Sequence, residues 1–120
     1  MQDRDRTKRA IKIFLYSDKI KTCVILTSKI LRVILEKHGN EYFRRVFRDV
    51  IDALRSEVLI AYNATKNVAF KEVDLLLNKA INYFNQDNYD EAFNQLSRSI
   101  STVTSLAMEG VTTLEEEKLI

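Results

Sequence analysis

Proline is absent from this 120-residue chain, and glycine occurs only twice, at Gly39 and Gly110. Phosphate-cradling loops need glycine where backbone amides turn toward the anion, so two glycines 71 positions apart assemble neither a dinucleotide fingerprint nor a Walker A loop. One cysteine, Cys23, excludes an intrachain disulfide and a thiolate zinc site. It lies in the apolar run Cys23-Val24-Ile25-Leu26, where a small buried hydrophobe is expected.

The single histidine, His38, has Leu35 three residues before it, which removes the Glu-x-x-His pairs of bundle di-iron sites. No metal or cofactor is expected. One histidine also leaves no Ser-His-Asp or Cys-His constellation that spacing singles out, so no small-molecule substrate is evident and a non-enzymatic role is expected. Uninterrupted apolar runs, such as Ile13-Phe14-Leu15 and Val33-Ile34-Leu35, reach at most five residues, far below the roughly 20 of a membrane span. The charged segment from Asp3 to Arg9 does not resemble a signal peptide, and a cytoplasmic protein is expected.

What is present is helix-forming. Hydrophobic residues make up 46% of the chain and charged residues 30%, in the range of one ordinary globular domain. No segment sustains a period of two, while spacing near 3.6 recurs almost throughout. The expectation is an all-α, antiparallel four-helix bundle made of two helical hairpins, with helices at about 4–37, 41–63, 68–85 and 89–109 and a short C-terminal turn at 113–119.

His38-Gly39-Asn40 separates the first two helices, with Gly39 suited to a left-handed cap and Asn40 to capping the next helix. The first region leaves open a break near Ser17-Asp18. In the second, Phe43, Val46, Phe47, Val50, Leu54, Val58 and Ala61 form one stripe. Thr65 or Asn67 is placed to cap the third helix, unless helices two and three are continuous. Tyr89, Phe93, Leu96, Ile100, Val103 and Ala107 read as a heptad seam; Gly110 then stops helix four, and Thr112 with Glu115 offers a capping box.

Helix one differs from the rest. Val24, Ile25, Leu26, Ile30, Leu31, Val33, Ile34 and Leu35 wrap most of its circumference, leaving Lys29, Arg32 and Glu36 as its polar strip. A helix apolar on more than one side needs more than one neighbour, so a homo-oligomer or a protein partner is expected, with Ile30 and Ile34 as contact candidates. Ser97, Ser101 and Ser105 on helix four, beside Ser99 and Thr102, present a weakly charged hydroxyl face suited to a second contact.

The charge is lopsided. Residues 1–60 carry 14 basic and 8 acidic side chains, whereas residues 61–120 carry 5 and 9. Such asymmetry orients a partner or marks a nucleic-acid face. Arg44, Arg48 and Arg55 fall close together on an ideal helix and are the nucleic-acid candidates. Glu41, Asp49 and Asp52 sit at intrahelical pairing distance from Arg45 and Arg48, and they weaken such a face.

The stretch Ala80-Ile81-Asn82-Tyr83-Phe84-Asn85-Gln86-Asp87-Asn88-Tyr89-Asp90-Glu91-Ala92-Phe93, with Leu96 and Ile100 behind it, resembles a tetratricopeptide helical hairpin. Residues 73–110 also resemble a small archaeal helical-bundle family of unknown function with a similar hairpin ending in a glycine, as at Gly110. The resemblance implies a helical fold and supplies no activity. Only one such unit is present, too few for a solenoid. Arg32 precedes His38 with five residues between, which is similar to the arginine-to-histidine motif of HEPN-type helical ribonucleases and implies an acid or base beside a phosphate clamp. The motif's usual polar residue after arginine is here Val33, and His38 is also suited to the C-terminal dipole of helix one.

Overall fold

The computed structural model describes residues 2–36 and 41–118, and these form four helices with no strand among them. They are α1 (Gln2–Glu36), α2 (Glu41–Thr65), α3 (Ala69–Asn85) and α4 (Tyr89–Glu116). Each helix touches only its two ring neighbours: α1 packs on α2 and α4, and α3 packs on α2 and α4, with no diagonal contact. Short connections reverse the chain each time, giving the expected antiparallel bundle. The long axis of 55 Å is the length of α1, whose 35 residues at about 1.5 Å each span roughly 52 Å.

The core runs along the bundle axis. Phe47, Ile51, Leu54 and Val58 of α2 meet Phe70, Val73, Leu77 and Phe84 of α3, with Ile20, Val24 and Leu31 of α1 and Leu96 and Val103 of α4. Each such side chain contributes about 1.5–3 kcal/mol by leaving water. Small residues set the α1–α4 spacing: Ala10, Ser17 and Thr27 on one helix, Ala92, Ser99 and Gly110 on the other, all buried. The buried hydroxyls are satisfied locally, Thr27 by the Cys23 carbonyl at 2.7 Å and Ser99 by that of Gln95 at 3.0 Å.

Two open alternatives are closed, and the expected end of the fourth helix is corrected. α1 is unbroken through Ser17-Asp18, because Ser17 is buried and donates to the Ile13 carbonyl within the helix. Helices two and three are separate: the chain turns at Lys66-Asn67-Val68, where Asn67 Oδ1 accepts from the Ala69 amide at 3.0 Å and Thr65 Oγ1 from the Asn67 amide at 3.2 Å. Gly110 does not end α4, and Thr112 and Glu115 are helix interior rather than a capping box. The reason is tertiary. Gly110 lies against the Ala10 carbonyl and Phe14 of α1, and Arg6 pairs with Glu116 and Glu117 beyond it, so α1 carries α4 two further turns.

The buried row of α4 is Ala92, Leu96, Ser99, Val103, Leu106, Gly110 and Leu114. It is turned from the expected heptad seam, whose Tyr89, Phe93, Ile100 and Ala107 are only half-buried. Close approach to α1 requires small residues at the centre of that face, which moves the bulky ones to its edge. Similarly, Ile51 takes the central position on α2, while Phe43, Val46 and Val50 are half-buried at its flank. Helix ends that commonly use glycine use Lys66, Asp87 and Lys118 in the left-handed region, at φ 57°, 58° and 59°.

Candidate interaction surface

The arginine candidates belong to the α2–α3 seam. Arg55 grips Asp74 with two bonds, Nε to Oδ1 at 2.8 Å and Nη2 to Oδ2 at 3.2 Å, and its Nη1 donates to Asn78 at 3.0 Å. Arg48 donates to Asn85 at 2.9 Å and lies 3.4 Å from Glu41. Arg44 donates to Asp87 at 2.7 Å and to the Tyr89 hydroxyl, with its guanidinium 5.1 Å from the Phe84 ring centre. Intrahelical pairing accounts for little of this, because most partners come from α3 and the turn after it.

Those contacts make a capped corner. Asn88 and Asp87 close the end of α3 through their amides, which donate to Tyr83 and Phe84 carbonyls at 2.9 and 3.0 Å, and Asn88 Oδ1 accepts from the Glu91 amide to begin α4. Hydrogen bonds from Arg44 first, and from Tyr89 second, hold the Asp87 carboxyl below its ordinary value. Phosphate at this face would compete with these partners for the guanidinium donors. A sequence signal for the pairing exists in hindsight: Asp74, Asn78 and Asn85 recur on α3 at spacings of four and seven.

A small part of the charge asymmetry is met inside the molecule. α1 carries nine basic and four acidic residues, α4 one basic and five acidic, and the two helices lie side by side. Arg6 meets Glu116 and Glu117, while Arg9 Nε donates to the Thr65 carbonyl at 3.1 Å and so caps the C-terminal end of α2. His38 lies outside the described residues, so the Arg32 and His38 pair has only its arginine here, an exposed side chain of α1.

The apolar excess of α1 does face outward. Ile34 is not part of that surface; at 2% exposure it is core, because its turn of α1 faces inward alongside Leu31. The outward residues are Ile11, Leu15, Leu26 and Val33, exposed by 42%, 59%, 53% and 44%. Spacings of 4, 11 and 7 place them in one row opposite the buried row of Ala10, Ile13, Ser17, Ile20, Val24, Thr27 and Leu31. Sequence reading located the excess on α1 but not the side facing out, since two apolar faces of one helix look alike until its neighbours are known.

Ile30 is half-buried at the edge of this row. With Leu26, Lys29, Val33, Phe43 and Val46 it lines a cleft of about 410 Å³ between α1 and α2. On α2, Tyr42 and Ile60 are exposed eighteen residues, or five full turns, apart, on the same side as Val46. The result is a face two helices wide. Among the described residues no group of three or more His, Cys, Asp or Glu is placed to hold a metal ion. Ser97, Ser101 and Ser105 are exposed on α4, as expected, whereas Ser99 is buried. No described helix is long and apolar enough to cross a membrane. Compared with known proteins, the chain matches no family model, no curated protein and no solved structure.

Proposed function

We propose that this chain is a non-catalytic helical interaction module, a homo-oligomer or an accessory subunit of a larger assembly, that engages its partner through the outer face of α1 and α2. The observation that carries the reading is the row Ile11, Leu15, Leu26 and Val33, which the bundle itself leaves in water. Exposed apolar side chains gathered on one face, rather than scattered singly, mark contact surfaces. The hydroxyl face of α4, with Ser97, Ser101 and Ser105, is a second surface with little charge to repel a partner. A cytoplasmic setting belongs to the same reading.

The rival reading, a nucleic-acid-binding bundle with a HEPN-like ribonuclease as its enzymatic variant, has less support. Arg44, Arg48 and Arg55 already have partners, so their charge is largely committed to the fold. The test combines radical footprinting of α1 in an extract of the source cell with footprinting of the purified, dilute protein. Protection of Leu15, Leu26 and Val33 in the extract is the expected result. Equal labelling in both settings, with the purified protein monomeric, removes the interaction reading, and binding to RNA that weakens steeply with salt would replace it.

A further inference from the structure

Resting on that reading, we propose that the occupant of this face is a second copy of the chain, paired antiparallel with its two-fold axis passing near Thr22. The row is nearly self-complementary about that point. Ile11 and Val33 lie eleven residues on either side of Thr22, so an antiparallel copy sets Ile11 against Val33 in both directions. Leu15 then lies over Lys29 of the second copy with Leu26, Ile30 and Val33 around it, and Leu26 over Asp18 with Leu15 and Thr22 around it. All four outward apolar residues gain a partner at once.

Charge selects the direction. In the antiparallel register Lys8 faces Glu36, and Asp18 lies within one turn of Lys29 of the second copy. A parallel pair would instead stack Asp18 on Asp18 and Lys29 on Lys29. The like-signed pair set directly opposite, Lys12 with Arg32, involves residues on opposite edges of the row, which diverge. The size also fits. From Ile11 to Val33 the row is roughly 33 Å long, and with α2 beside it about 18 Å wide, some 600 Å² before side-chain relief is counted, against about 800 Å² per partner in a standard interface. Tyr42 and Ile60 of α2 extend the contact toward the second copy's flank.

Two variants read the register directly. Thr22→Cys in a Cys23→Ser background is expected to give a covalent dimer under mild oxidation, whereas Ser101→Cys, on the far side of the molecule, is not. Ile11→Lys and Val33→Glu are each expected to raise the dimer Kd at least tenfold, and the double variant to recover most of that loss. In one chain the two sites are too far apart to touch, so recovery requires an antiparallel neighbour. All four positions are exposed, and thermal melting of each monomer should stay near that of the parent. A dimer by light scattering that shows neither the Thr22 cross-link nor the charge-swap recovery overturns the register while leaving the module intact. A monomer at all concentrations whose α1 is protected in extract overturns the second copy as occupant in favour of a different protein. A monomer whose α1 is labelled equally everywhere overturns both proposals, and co-sedimentation of that monomer with anionic vesicles would give the face to a lipid surface instead.

Discussion

Replacing Gly110 by alanine sets two well-known effects against each other. In an exposed helix interior the change stabilises by about 1 kcal/mol, because glycine has the greater backbone freedom to lose. Here an added Cβ would lie 2.9 Å from the Ala10 carbonyl oxygen, 3.1 Å from Phe14 Cβ and 3.2 Å from the Phe14 amide nitrogen. Two of those three are backbone atoms in the middle of α1, so no side chain can swing aside. Relief requires α1 and α4 to separate by roughly half an ångström over a turn, and overpacking of this kind costs about 1–3 kcal/mol. The steric term wins, leaving Gly110→Ala less stable by about 1 kcal/mol, or about 4 °C in Tm at this size. Gly110→Val, with two further methyls and no room, should lose about 3 kcal/mol or more.

The assay is urea denaturation followed by far-UV circular dichroism, with Ser105→Ala as reference because Ser105 is exposed on the same helix and reports propensity alone. If Gly110→Ala gains stability as Ser105→Ala does, the close approach of α1 and α4 is not what places a glycine there.

Other perturbations probe the remaining polar contacts. A double-mutant cycle on Arg55→Ala and Asp74→Ala should return a coupling of about 1 kcal/mol, and Arg55→Lys should not restore it, because the two-bond grip needs the guanidinium fork; zero coupling would reduce the pair to decoration. Asp87 has its carboxyl pKa depressed in the folded state, so it contributes stability above its unfolded value of about 4 that is lost as pH falls through the lower folded value. Asp87→Asn should therefore melt below the parent at pH 6 and converge with it near pH 2, and a gap that is constant with pH would rule out the ion pair as its source. Gln95 is buried, and its Oε1 has no hydrogen-bond partner among the described residues. Gln95→Met keeps the volume and removes the orphan acceptor, so it should gain about 1 kcal/mol in chemical denaturation; a loss would mean that the amide is satisfied by solvent.

The helices, their order and their approximate bounds were legible because periodicity is a local property. Stripes such as Val73, Leu77, Ala80 and Phe84 announce a buried face without reference to anything else. Capping chemistry was equally local at Asn67, whose side chain accepts from the amide two residues on. The exclusions also stood on composition, since one histidine and one cysteine leave few sites to build.

What sequence did not determine depended on neighbours. Gly110 has the propensity of a helix stop, and only the backbone of α1 lying against it makes it a contact point within a continuing helix. Arg44, Arg48 and Arg55 form a basic row on a helical wheel, yet Asp74, Asn78, Asn85 and Asp87 lie across the seam to receive them. Helix one was visibly apolar on two sides, but Ile34 turned inward and Leu15, Leu26 and Val33 outward only once α2 and α4 had taken their places. Periodicity records that a face is apolar; packing alone decides which of two such faces the fold covers and which it leaves exposed.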